Sequence, residues 1–503
     1  MPNKRKKIYI TTPIYYVNAP PHLGHAYTTI AADILARFYR FQKRDVFFLT
    51  GTDEHGIKIE KAAQQMKKTP QKLCNENAKL FKKTWRNLNI SYDNFVRTTN
   101  PHHIRAVQKV LQILYNKKLI YKGIYKGLYC VGCEQYKTKM DLINGKCPDH
   151  QIEPETIEEE NYFFRLSQFH NLLLKKITSG ELEILPEKRK IEIIKFLQKG
   201  LKDISISRPR KKVKWGIPLP FDKKHTTYVW IDAFLSYLTG IGWNGDPKNL
   251  PTIFPPDLQL MGKDILRVHA TIWPVLLLAV GIPLPKKLFV HGHFTVEGQK
   301  MSKSLGNVIR PEELIEKFGA DATRYLLISA CSFGEDGDIS WKKLTQKYNS
   351  DLANGLGNLV ARIIMLAGKV QNQVSLVKRK PGLEINRTIE SSWKNYENFF
   401  NSYKLDKALS EIWKLIDFCE KYIEKNRPWE HSKKQFLIIN DLLIVLTHIA
   451  KMLQPFLPNT SKKIFKALGI KFNGRRWYFK VKPAKIILFP RVLSTLFALD
   501  NQR

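Results

Sequence analysis

Residues 7–12, Lys7-Ile8-Tyr9-Ile10-Thr11-Thr12, alternate β-branched with aromatic side chains and read as a strand. Pro13, Asn18, Pro20 and Pro21 interrupt it. From His25 the apolar positions Ile30, Ile34, Leu35, Phe38 and Phe41 follow helical spacing. Residues 45–50 read as a second, buried strand, Val46-Phe47-Phe48-Leu49, ending at Gly51-Thr52-Asp53-Glu54-His55-Gly56. Strand, helix and strand make a βαβ unit, whose crossover is almost always right-handed. Another strand is expected at 288–291. Trp230, Ala233 and Tyr237 share one helical face by their i, i+3, i+7 spacing, and Asp264, His269 and Trp273 are assigned to a second helix. From Leu352 the helical period returns at Leu356, Leu359, Val360, Ile363 and Ile364, with further helices expected around 386–424, 435–455 and 459–468. The expected class is α/β, followed by an all-α bundle.

Length and composition add bounds. The chain has 503 residues, room for roughly three or four domains. Hydrophobic and charged contents of 43% and 25% are ordinary for a soluble protein. The net charge of +38, from 83 Lys and Arg against 45 Asp and Glu, is not. It points to a polyanionic partner, RNA before a membrane surface, or to lysine-rich usage throughout a proteome. The basic first seven residues precede an apolar stretch too short for a secretory signal. The longest apolar run, 272–280, contains Pro274 and falls short of the ~20 residues of a membrane span. Of six cysteines, Cys74, Cys331 and Cys419 are scattered, so no disulfide framework is expected. A reducing cytoplasm and no membrane contact are the expectation.

Three segments carry chemistry. His22-Leu23-Gly24-His25 follows Pro20-Pro21 at the start of the first helix. Ligands in such sheets sit beyond the carboxyl ends of the strands, which places His22, His25 and Asp53 at one rim. A helix N-terminus favours phosphate, Gly24 lets a nucleotide approach the backbone, and two imidazoles can donate to phosphate oxygens. Alone, the segment reads equally as a helix cap with a turn glycine. Lys300-Met301-Ser302-Lys303-Ser304 lies in a glycine-flanked connection after the 288–291 strand. Two lysines three apart suit a triphosphate and a departing pyrophosphate; alone they would be a basic surface loop. In this order the two segments suggest adenylation of a carboxylate by ATP. Cys130-Val131-Gly132-Cys133 is followed, after thirteen intervening residues, by Cys147-Pro148-Asp149-His150. Three thiolates and an imidazole complete a tetrahedral Zn²⁺ site with no open position, hence one structural zinc per chain.

The first two segments resemble the two signatures of class I aminoacyl-tRNA synthetases. Ile14-Tyr15-Tyr16-Val17-Asn18, the Gly51–Gly56 segment, the Cys/His cluster, Tyr228-Val229-Trp230-Ile231-Asp232-Ala233 and Gly262-Lys263-Asp264 are similar to the methionine-specific family, in its short bacterial form with one zinc knuckle. The resemblance runs from Tyr9 to about residue 484. It implies a Rossmann-type catalytic domain in two halves, 1–115 and 228–300. Between them lies a connective insertion, 116–227, holding the knuckle and a helical remainder. A signature loop and stem-contact region at 301–350 and an α-helical anticodon-binding domain at 351–503 follow. The insertion is too small for the editing domain of the leucine, isoleucine and valine relatives, and residues 11–21 lack the zinc-ligand cysteine of the cysteine-specific ones.

The implied reaction joins methionine to ATP, carried with Mg²⁺, as methionyl-adenylate, then passes the methionyl group to the 3′ end of tRNA(Met) for initiation and elongation. His22, His25, Lys300 and Lys303 are the implied catalytic residues. His22, Gly24, His25, Lys300, Ser302 and Lys303 would hold ATP. Ile14, Tyr16, Asp53, Trp230, Ala233, Tyr237, Asp264, His269 and Trp273 would line the methionine pocket, with Asp53 on the ammonium group. The family often has Leu where Ile14 stands, and some members have Pro or Leu where Phe234 stands. Asn358, Arg362, Pro428 and Trp429 would meet the anticodon. By burial alone, Trp230, Tyr237 and Trp273 read as core aromatics and Trp429 as a helix-junction tryptophan. No oligonucleotide-binding extension follows residue 485, so a monomer is expected. A non-catalytic tRNA-binding relative and an adenylyltransferase of another small acid are the competing readings.

Overall fold

The computed structural model describes residues 7–132, 135–137, 141–301, 307–370, 381–430, 432–472, 477–481 and 486–492; Cys133, Ser302 and Lys303 lie outside them. The amino-terminal part runs β1 (Lys7–Tyr16), α1 (Leu23–Phe41), β2 (Asp45–Asp53), α2 (Ile57–Gln65), α3 (Pro70–Asn87), β3 (Asn94–Arg97) and α4 (Pro101–Asn116). The middle adds β4 (Ile120–Cys130), β5 (Gln135–Lys137), β6 (Glu155–Phe164), α5 (His170–Thr178), β7 (Glu183–Leu185), α6 (Glu187–Gln198), β8 (Ile204–Ser205), β9 (Ser207–Pro209) and β10 (His225–Thr227). Then come α7 (Val229–Thr239), β11 (Leu258–Gly262), α8 (Leu266–Val280), β12 (Lys287–His291), β13 (Phe294–Val296) and β14 (Gln299–Lys300).

A six-stranded sheet orders these strands β3-β2-β1-β11-β12-β7, and every pair in it is parallel. Strand order reverses between β1 and β11, the place where such sheets open a crevice for ligands. β1 sends Ile8 and Ile10 into one core and Tyr9 into the other, one on each face of the sheet. Its register against β2 slips between Thr11 and Ile14, where one extra residue is accommodated on β1. Pro13 sits in that bulge, the place in a central strand where a residue without an N–H is tolerated.

Two expectations change here. The 116–227 segment is not a knuckle with a helical remainder. It holds a four-stranded antiparallel sheet, β5-β4-β6-β8, beside α5 and α6. β4 and β6 interrupt their apolar residues with Lys, Gly and Glu, so no clean hydrophobic alternation marks them; their long antiparallel ladder, with Lys122 reaching diagonally to Glu160 at 2.6 Å, holds them as strands. Within the same segment, β7 returns to become the outer strand of the main sheet beside β12. Its three residues are too few to show a period.

The carboxyl-terminal part runs α9 (Pro311–Phe318), α10 (Ala320–Ile328), β15 (Gly337–Ile339), α11 (Trp341–Lys347), a π-helical stretch (Tyr348–Gly357), α12 (Asn358–Lys369), α13 (Leu383–Asn401), α14 (Leu405–Asn426), α15 (Ser432–Leu453) and α16 (Pro458–Leu468). The helical region expected at 386–424 is two helices, turned at Tyr403, whose φ of 57° reverses the chain. One described helix, Gln435–Leu453, has the length and apolarity of a membrane span, contrary to the expectation that none would. It is 72% buried, packed inside the bundle, and that accounts for its apolarity. One hydrophobic core runs without a break from β1 and α1 into this bundle.

Candidate active site

The rim at the strand reversal is built around the start of α1. His22 is the N-cap, with extended backbone at φ −118° and ψ 175°. Its Nδ1 accepts the Gly24 N–H at 3.1 Å, and its own N–H donates to His25 Nδ1 at 3.3 Å. This reciprocal capping box fixes both tautomers. A nitrogen that accepts from a backbone N–H carries no proton, so each neutral ring bears its N–H at Nε2. The rings stack with centroids 3.5 Å apart. His22 keeps an edge in solvent, yet the surrounding protein lowers its pKa from 6.5 to about 4; Asp264 opposes the shift and His293 adds to it. Burial, then His22, pushes His25 well below the ordinary value. The site thus has two neutral donors at a helix N-terminus.

β12 ends against the same turn. His291 Nδ1 lies 2.8 Å from the Gly292 carbonyl and so bears the proton, leaving Nε2 to face the Thr28 hydroxyl at 2.7 Å. Thr28 Oγ1 also lies 3.0 Å from the Gly24 carbonyl, and its single proton serves one of these two acceptors; the contacts tie β12 to the first turn of α1. Gly292 is required sterically: a Cβ there would lie 2.3 Å from the Glu335 backbone. Asp336 accepts from the His293 N–H at 2.8 Å and from Lys263 Nζ at 2.6 Å. Asp338 anchors the β13–β14 hairpin through Gly298 N at 2.7 Å and Thr295 Oγ1 at 2.8 Å. That hairpin presents Lys300, whose Nζ donates to the Asp149 carbonyl of the cysteine knuckle at 3.1 Å.

A second cluster lies between α7 and α8. Phe234 stacks on Trp273 at 5.7 Å, meets His269 edge-on at 4.9 Å and stacks near Trp230 at 5.9 Å. His269 Nδ1 donates to the Ile265 carbonyl at 2.9 Å, which leaves Nε2 to accept the Tyr237 hydroxyl at 2.9 Å. Burial holds its pKa down at about 4. Trp273 Nε1 donates to Gln259 Oε1 at 2.9 Å. Ala233 is buried, Trp230 and Ile14 are half-buried, and Tyr16 donates to the His55 carbonyl at 2.6 Å. Asp53, 6% exposed, ends β2. Asp264 is not on the helix with His269 and Trp273. It occupies the 3₁₀ turn Lys263–Ile265 before α8, and its Oδ1 faces His293 Nε2 at 3.0 Å.

Several members of this region were not singled out by sequence. Asp232, fully buried, bridges His55 Nδ1 and His103 Nε2, both at 2.7 Å. Burial alone would raise its pKa; the charge of His55 and hydrogen bonds from both histidines bring it down to about 2. Asp232 lies on the Trp230–Ala233 segment and His55 beside Asp53, so position was a signal, but His103 had none. Phe234 had entered only as a departure from the family's usual residue, although it is the hub of the aromatic cluster.

At the knuckle, the ligand atoms of Cys130, Cys147 and His150 lie within 4.8 Å of one another. Both thiols are buried, and a Cβ on Gly132 would lie 2.4 Å from the His150 ring. Thiol, thiol and imidazole held this close by a glycine that must be a glycine fit a thiophilic metal. Gly132→Ala should therefore displace His150 and reduce bound metal to well below one equivalent, read by metal analysis of the purified protein; full occupancy would refute the packing argument.

In the bundle, Asn358 opens α12 and Arg362 follows one turn later. The Arg362 guanidinium lies 5.3 Å over the Trp429 ring and 3.6 Å from Glu420. Trp429 is 51% exposed, so it is not a buried junction residue, whereas Pro428 is buried. Arg427, with φ of 37°, ends α14 and turns the chain there. Asn358 also lines a cavity of about 390 Å³ with Asn354, Gly357, Phe489 and Arg491.

Comparison with known proteins agrees with this geometry. The family described as tRNA synthetases class I (M) matches residues 8–156 and 133–364, and the anticodon-binding domain of tRNA ligase matches 382–485. The chain is 42% identical to the methionine–tRNA ligase of Caldanaerobacter subterraneus subsp. tengcongensis, over 97% of this chain and 79% of that one. It is 42% identical to the Thermotoga maritima enzyme, over 95% and 76%. Among solved structures, Mycobacterium tuberculosis methionyl-tRNA synthetase in complex with methionyl-adenylate superposes with a TM-score of 0.90 at 34% identity, covering 97% of this chain and 100% of that one. Its apo form gives 0.83 at 31% identity, covering 98% and 99%. With a parallel-sheet catalytic part, a helical anticodon-binding part and relatives of this identity along nearly its whole length, the chain belongs to the class I aminoacyl-tRNA synthetases, as a methionine–tRNA ligase.

Proposed function

We propose that the rim at the β1–β11 reversal forms methionyl-adenylate from methionine and Mg²⁺-bound ATP, and that the bundle recognises the tRNA(Met) that receives it. The supporting observation is the pair of Nε2–H donors at the start of α1. A methionine carboxylate oxygen attacks the α-phosphorus, that oxygen–phosphorus bond forms, and pyrophosphate leaves. His22 and His25 donate to phosphate oxygens as charge builds, while Gly24 leaves room for the nucleotide. Lys300, Ser302 and Lys303 hold the departing pyrophosphate. Asp53 accepts the substrate ammonium. Ile14, Tyr16, Trp230, Ala233, Tyr237, His269 and Trp273 line the thioether side, where polarizable sulfur suits aromatic walls. Asp264, beside His293 and near His22, serves the nucleotide edge of the pocket. A terminal ribose hydroxyl of the tRNA then attacks the methionyl carbonyl, and AMP departs. No covalent enzyme intermediate is needed.

In the same reading, Cys130, Cys133, Cys147 and His150 hold one Zn²⁺, which supplies folding free energy rather than catalysis. Asn358, Arg362, Pro428 and Trp429 meet the anticodon by stacking and by contacts to base edges. The division into 1–115 and 228–300, 116–227, 301–350 and 351–503 is the working domain map.

Purified protein should exchange labelled pyrophosphate into ATP with methionine and not with leucine, isoleucine, valine or cysteine. Exchange driven only by another amino acid would reject the pocket assignment, and none at all would favour a non-catalytic tRNA-binding relative.

A further inference from the structure

α1 belongs to two sites at once. Its first turn carries His22 and His25, and its second half is buried in the helical bundle. Phe38 stacks on Phe400 at 3.9 Å, and Phe41 stacks on Trp393 at 5.9 Å. Between the first turn and these stacks Asp33, fully buried, meets Arg324 Nη1 at 2.7 Å, with the arginine side chain equally buried. Asp33 also takes Ser91 N at 2.7 Å and Arg37 Nε at 2.7 Å. The rest of the Arg324 fork reaches the Phe456 carbonyl at 2.7 Å, the Pro455 carbonyl at 2.9 Å and the Leu88 carbonyl at 3.3 Å.

Residues 455 and 456 form the turn just after α15, where helix-terminal carbonyls need donors. α15 begins beside the Trp429 turn, and its 22 residues span ~33 Å. A planar five-donor guanidinium therefore joins the helix carrying the signature histidines to the far end of the helix that starts at the exposed tryptophan.

We propose that Arg324 is a positioning residue that fixes the separation between the adenylate site and the anticodon surface. It thereby sets how much charging gains from the anticodon. The inference rests on the anticodon reading of the Trp429 surface. Lysine at 324 keeps a charge for Asp33 but cannot span three segments, so the two sites stay formed while their spacing loosens.

The test compares three rates in wild type and Arg324→Lys: methionine-dependent pyrophosphate exchange, charging of full-length tRNA(Met), and charging of an acceptor-stem minihelix without an anticodon. Exchange is expected to stay within about twofold, while the kcat/KM ratio of tRNA to minihelix falls by about tenfold, within the usual range of coupling between sites. An unchanged ratio overturns the proposal, and so does a parallel fall of all three rates, which marks a merely structural arginine. Phe41→Ala loosens a second joint between α1 and α15, the stack on Trp393, whose Nε1 donates to His448 of α15 at 2.9 Å, and should lower the ratio less; if Arg324→Lys does not fold, an unchanged ratio in Phe41→Ala overturns the proposal. A wild-type enzyme that charges both RNAs equally defeats the anticodon reading itself, and the proposal with it.

Discussion

His22→Asn should slow methionine-dependent pyrophosphate exchange by about 10²–10³-fold, the usual cost of one lost transition-state donor, and leave the KM for methionine near the wild-type value. The substitution separates two jobs of one ring. His22 Nδ1 accepts the Gly24 N–H and caps α1. Asparagine places a side-chain oxygen at the equivalent position and is among the best N-caps, so the helix should keep its start. Asparagine has no atom where Nε2 stands, so the donor to phosphate is gone. A loss confined to kcat identifies an interaction made in the transition state. Less than about a fivefold change would show that the ring only caps the helix, the alternative its sequence leaves open. The wild-type profile should also show no break near 6.5. The pKa of His22 is about 4, so the ring stays neutral on both sides of that pH and has no proton to lose there.

Asp53→Asn should cost methionine kcat/KM roughly a hundredfold or more, with little change in the KM for ATP. Removing one partner of a buried, hydrogen-bonded charge pair costs about 2–5 kcal/mol, and each 1.4 kcal/mol is tenfold. Asp53 is almost wholly buried at the end of β2, where little solvent is at hand to replace its charge against an ammonium group. Asparagine matches its shape, so the loss should report charge rather than packing. Steady-state exchange at varied methionine and ATP measures both constants. An equal rise in both KM values would place Asp53 in general structure rather than on the amino acid.

What the sequence revealed follows physical lines. β1, α1 and β2 are buried elements whose apolar period is the force that folds them, so they were legible. His22, Gly24 and His25 were legible because their chemistry is local to one turn. The insertion's sheet was not: Lys122 pairs with Tyr162 and Ile124 with Glu160, and pairing across distant segments leaves no period within either. Trp429 could not be placed from composition, since aromatic residues fill cores and face RNA alike; its exposure over Arg362 excludes the core. Asp264 is expected on one helix with His269 and Trp273, yet the helix begins two residues later, after a 3₁₀ turn that no apolar pattern marks. Asp232 with His55 and His103 was beyond reach as a group, because its members are 177 and 129 residues apart.

The slipped register of β1 has a consequence for how this chain can vary. Thr11 pairs with Leu49 and Ile14 with Gly51, so three steps on one strand match two on the other. Thr12 secures the excess by donating to Thr50 at 2.7 Å. Side chains on a strand switch faces with every residue gained or lost. Removing a single residue at 12 or 13 would straighten β1 yet leave Ile14 opposite Gly51 and Tyr16 opposite Asp53, whereas a loss from the regular pairing at 8–11 would turn every residue on one side of it to the other face. At this point the strand can change length without changing what it presents to the rim.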